Sequence, residues 1–82
     1  MSIPPVDKMS LYLRDLGELL KEEAVMARSE LQEAPSDDKP YARGQLMALY
    51  RVISLMQQQA KAFGIELNEI ALQDIDPDRD LL

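Results

Sequence analysis

The chain has 82 residues, a net charge of −6, three Tyr, one Phe, and no Cys, His or Trp. Lacking Cys it has no disulfides or thiolate metal sites, and lacking His it has neither the commonest general base nor the commonest transition-metal ligand. Its length fits one domain that buries only about 60–65% of the surface its unfolded form exposes, which leaves association as the route to a fuller core.

The first residues, Met-Ser-Ile-Pro-Pro-Val-Asp, have neither the basic n-region nor the apolar h-region of a signal peptide. No apolar run approaches the roughly 18–20 residues that span a bilayer, so membrane insertion is not expected and the cytoplasm is the expected compartment. Pro4-Pro5 stops any earlier helix, and Asp7 is a good N-cap for one running to about residue 33. Met9, Leu13, Leu16, Leu20, Ala24, Ala27, Leu31 and Ala34 follow at steps of three and four, the period of an α-helix. Leu11, Tyr12, Leu19, Val25 and Met26 widen that stripe.

Ala34-Pro-Ser-Asp-Asp-Lys-Pro40 is loop chemistry, and Pro40 suits the first turn of a second helix. So short a connection makes two long helices antiparallel neighbours. The second helix is expected over 40–63. Ala42, Leu46, Leu49, Ile53, Met56, Ala60 and Phe63 alternate steps of four and three, a strict heptad seam. Gly64 ends it as a left-handed cap, after which Ile65 folds back on Ala60. Gly17 and Gly44 each cost about 1 kcal/mol relative to Ala inside a helix. Each is either a tolerated surface glycine or a point of close approach, and Gly44, at an outward heptad position, fits the first.

With Leu46 at position a, the second helix is apolar on a further side as well, through Met47, Ala48, Val52, Leu55 and Ala62. One antiparallel neighbour covers the seam but not this flank, and helices apolar on two sides sit inside bundles. The expected architecture is therefore all-α: a two-helix hairpin with a short C-terminal helix, two copies of which form a four-helix bundle as a homodimer. Self-association is assigned to Met47, Ala48, Val52, Leu55 and Ala62. The alternative is a three-helix monomer in which Ile70, Leu72 and Ile75 cover that flank.

The remainder, Ile-Glu-Leu-Asn-Glu-Ile-Ala-Leu-Gln-Asp-Ile-Asp-Pro-Asp-Arg-Asp-Leu-Leu, holds six acidic residues and one basic. Asn68 is a candidate cap for a short helix carrying Ile70, Ala71 and Leu72, and Asp76-Pro77 is expected to break it. The domain is read as 1–75, with 76–82 as a flexible acidic tail. Ile75, Asp76, Asp78, Asp80 and Leu81 in that tail form a candidate partner-binding segment that would order against a basic protein, so truncation after Gln73 is expected to spare the fold.

Catalytic and metal patterns are weak. Ser10, Ser29 and Ser54 have no His to activate them, and Glu22/Glu23 and Asp15/Glu18 read as solvated helix faces. The alternating carboxylates Asp74, Asp76, Asp78 and Asp80 resemble the start of a calcium loop, but Arg79 holds the position that needs Gly. No cofactor is implied. From Lys39 to Ile65 the chain has bases and no acids, so Arg43, Arg51 and Lys61 are possible nucleic-acid contacts on the second helix. The overall acidity opposes such binding. The expected function is a small non-catalytic interaction protein (a subunit, adaptor or inhibitor) working through self-association and its acidic tail. A nucleic-acid-binding hairpin dimer is the alternative.

Overall fold

The computed structural model describes residues 7–82. Two long antiparallel helices, α1 (Lys8–Glu33) and α2 (Lys39–Ala62), are followed by a 3-10 helix (Leu67–Ile70) and a last short helix, α3 (Pro77–Asp80). There is no strand among the described residues. Asp7 caps α1 as its position predicts: its carboxylate accepts from the Met9 N–H at 3.0 Å and from the Ser10 hydroxyl at 2.8 Å. Pro40 lies in the first turn of α2, and Lys39 reaches back so that its Nζ donates to the Leu31 carbonyl at 3.1 Å. That bond satisfies a carbonyl the helix end would leave open and ties the loop to α1. Gly64 ends α2 at φ +70°, and the Ile65 N–H donates to the Ala60 carbonyl at 2.8 Å.

The core forms where the expected stripes meet. Ala24, Ala27, Leu46, Ile53 and Ala60 are buried between α1 and α2, with Leu13, Leu20, Leu31, Leu49 and Met56 packed around them. The seam frays at its ends: Phe63, expected to continue it, is 76% exposed, and Met9 is exposed as well.

Three more buried side chains, Ile70, Leu72 and Leu81, come from beyond α2. After Gly64 the chain turns back along the hairpin and fills one of its two grooves. It runs alongside α1, with Ile70 against Gly17, Asp74 at Lys21 and Asp80 at Arg28. Along α2 it runs the opposite way, meeting Gln57 first and Tyr50 later. Its 3-10 helix packs principally on α1.

The local structure of this segment differs from expectation at two points. Its first turn begins at Glu66 rather than Asn68: the Glu69 carboxylate accepts from the Glu66 N–H at 2.7 Å, completing a reciprocal capping box. Ala71 closes that turn at φ +58°, the conformation a glycine would take more easily. Asp76-Pro77, expected as a breaker, starts α3 instead. The Asp76 carboxylate accepts from the N–H groups of Asp78 and Arg79, and Pro77 occupies the first helical position, which its fixed φ suits.

Candidate functional site

Filling one groove with the chain's own end leaves the hairpin with two unlike sides. On the closed side the C-terminal segment is held by both helices. Gln57, on α2, donates from Nε2 to the carbonyls of Leu72 (3.1 Å) and Ile75 (2.9 Å). Lys21 of α1 pairs with Asp74 at 2.8 Å and with Glu18 at 3.5 Å. Partial burial of Lys21 opposes its charge, yet the hydrogen bond and charge of Asp74, helped by Glu18, outweigh it and raise its pKa. The same hydrogen bond holds the Asp74 carboxyl below the usual range. Arg28 donates to the Asp80 carbonyl at 2.8 Å, and the Tyr50 hydroxyl donates to Asp78. That contact, with desolvation and the Asp78 charge, raises the Tyr50 pKa.

The five residues expected to reach a partner are therefore engaged within the chain. Leu81 is only 2% exposed and belongs to the core, and Ile75 is packed against it. Asp76 caps α3, Asp78 accepts from Tyr50, and Asp80 accepts from the Asp76 N–H and from Arg79. Residues 76–82, expected as a flexible acidic tail, lie docked on the hairpin in this structure. Its apolar residues alternate with acids and lie over a groove that offers Lys21 and Arg28, so the basic surface it complements is its own hairpin.

The other side is open. A dimple between the helices there is lined by Glu23, Met26, Ala27 and Glu30 of α1 and by Gln45, Ala48 and Leu49 of α2. Helical spacing extends this face along the hairpin. Tyr12, Leu16, Leu19, Glu23, Met26 and Glu30 follow at steps of four and three on α1, and so do Gln45, Leu49, Val52, Met56, Gln59 and Phe63 on α2. The α1 series is a second heptad stripe beside the buried one, whereas the α2 series shares Leu49, Met56 and Phe63 with the seam and adds Gln45, Val52 and Gln59 on its open side. Tyr12, Leu19, Met26, Val52 and Phe63 on these stripes are exposed, Met26 at 54% and Val52 at 42%.

The residues predicted for self-association separate on this geometry. Ala48 and Val52 belong to the open face. Leu55, one heptad past Ala48 and about 20° from it around α2, lies at the outer edge of the same face. Ala62, nine residues past Ile53, is turned about 180° from it. Met47, three residues before Tyr50, lies toward the closed side. All five are solvent-accessible, Leu55 at 60%.

Sequence reasoning missed the α1 half of the open face. Leu19 and Met26 were visible as widenings of the first stripe, but nothing in the sequence showed which flank the C-terminal segment would take. It also missed Gln57, whose neighbours Gln58 and Gln59 are exposed while it is half-buried.

Arg43, Arg51 and Lys61 are exposed but do not form one cluster. Arg43 and Lys61 share a face at about 27 Å separation, and Arg51 is turned about 80° from both. Asp76 and Asp78 line the same surface hollow as Lys61. Among the described residues, no group of acidic side chains is arranged to hold a metal ion, and no helix is long and apolar enough to cross a membrane.

No family model, curated protein or solved structure matches the chain.

Proposed function

We propose that the chain is a non-catalytic protein-interaction module that works by self-association through the open face of its hairpin. One observation carries this reading: Tyr12, Leu19 and Met26 of α1 and Val52 and Phe63 of α2 stand exposed on the same side, while the acidic segment that would otherwise cover apolar surface is docked in the opposite groove. Two adjacent heptad stripes are the geometry that receives further helices in a bundle. With its C-terminal segment bound to its own helices, the chain has the open face to offer a partner.

The basic residues of α2 give less support to nucleic-acid binding. They are dispersed, and Lys61 is bordered by carboxylates, whereas phosphate recognition relies on concentrated positive charge.

Sedimentation equilibrium of the full chain over a hundredfold concentration range tests the proposal. The mass is expected to rise above 9.3 kDa toward twice that value. A mass of one chain throughout, or tight and salt-sensitive binding of a single-stranded RNA probe, would overturn it.

A further inference from the structure

Resting on the self-association proposed above, we infer that the open face pairs with the same face of a second copy about a two-fold axis parallel to the helices. α1 of each copy then lies antiparallel on α2 of the other. The area suits such a pair. A helix of 26 residues is about 39 Å long, and two packed helices present a face about 20 Å wide, on the order of 800 Å² per copy and the size a stable interface needs.

Charge selects the orientation. α1 carries six acids and four bases, whereas α2 carries Lys39, Arg43, Arg51 and Lys61 and no acid. An axis perpendicular to the helices would stack α1 on α1 and set the edge bearing Glu23 and Glu30 against itself. The parallel axis instead sets that edge on the uncharged open face of α2, where Gln45, Ala48, Leu49 and Val52 lie, since Arg43 and Lys61 are turned toward the closed side and Arg51 stands at the rim.

The same axis sets the register. A two-fold rotation along the helix direction leaves every residue at its own height. Met26 and Ala48 line one dimple and so stand level within a hairpin. Met26 of one copy therefore meets Ala48 of the other and enters the hollow floored by the small residues Ala27 and Ala48, a large knob over a shallow hole. One turn back along α1 and about one turn on along α2, Glu22 comes level with Arg51 of the second copy at the rim. Both are exposed in the single chain.

The test uses the full chain and reads the dimer dissociation constant by sedimentation, with helicity followed by circular dichroism. Met26→Glu is expected to weaken the dimer at least tenfold with helicity retained. Val25→Glu, at an exposed apolar neighbour bordering the closed groove, is expected to change it less than threefold. Glu22→Arg and Arg51→Glu are each expected to weaken it severalfold and to restore it when combined. A monomeric native chain overturns the self-association reading itself. A native dimer that Met26→Glu leaves intact keeps that reading but overturns the face proposed here. A dimer lost on Met26→Glu but not restored by the double reversal overturns the axis.

Discussion

At Gly17 a β-carbon would stand 1.8 Å from the Ile70 carbonyl oxygen, whereas at Gly44 it would meet nothing within 4 Å. The first glycine is the gap through which the C-terminal backbone reaches α1, and the second is a surface residue in a helix. Gly17→Ala should therefore destabilise the fold by about 2–3 kcal/mol, because the obstacle is backbone and cannot rotate away. Gly44→Ala should stabilise it by up to about 1 kcal/mol. Urea denaturation of the two variants checks both signs. Two titrations act on the same docked segment from opposite ends of the pH scale. The Asp74 pKa is lowered, first by its hydrogen bond from Lys21, so its contribution is present above the ordinary carboxylate pKa and is lost as pH falls through the folded value. The Tyr50 pKa is raised, first by its hydrogen bond to Asp78, so its contribution is complete below the ordinary tyrosine pKa and is lost as pH rises through the folded value. Acid should thus weaken the hold of α1 on the segment below about pH 4, and alkali the hold of α2 above about pH 10, with the buried Ile70, Leu72 and Leu81 still in place. The methyl resonances of Leu81 should report both, and Tyr50→Phe should abolish the alkaline change.

At the level of elements, the two long helices were legible because each signal agreed with the next: Asp7 at the cap, steps of three and four, Pro40 at a start and Gly64 at a stop. The C-terminal segment was not. Its six acids read as solvated tail, and that reading hid the pattern that matters, in which Ile70, Leu72, Ile75 and Leu81 are the inward positions of an irregular strip. No period marks such a strip, since a 3-10 turn, a left-handed Ala71 and one turn of helix each set their own spacing. Gln57 was equally hidden, because only the path of the returning chain gives its amide two carbonyls to bind. Gln57→Leu should leave those carbonyls without their donor and loosen the segment by about 1–3 kcal/mol, seen as faster hydrogen exchange at the Leu81 amide with exchange in α1 little changed. Truncation after Gln73, which the sequence suggested would be harmless, removes Leu81 and Pro77 from buried positions. It should lower stability by about 2 kcal/mol or more, visible as a lower melting temperature.

At the scale of the whole molecule, one hairpin groove is closed by the chain itself and the other is open. The sequence showed that α2 has more apolar surface than α1 alone covers. It pointed to the flank of Val52 and Leu55, which lie on the open face and at its outer edge. The remainder could not be read from α2 by itself, since a face shared by two helices depends on which of their grooves the C-terminal segment occupies. In the proposed dimer the open face meets its own copy with α1 lying on α2. An isotope-filtered NOE experiment on a mixture of ¹³C-labelled and unlabelled chains addresses that arrangement directly. Contacts between the Met26 methyl of one copy and the Ala48 methyl of the other are the predicted result. The arrangement is contradicted if no contacts pass between copies, or if the Met26 methyl contacts only α1 of the second copy.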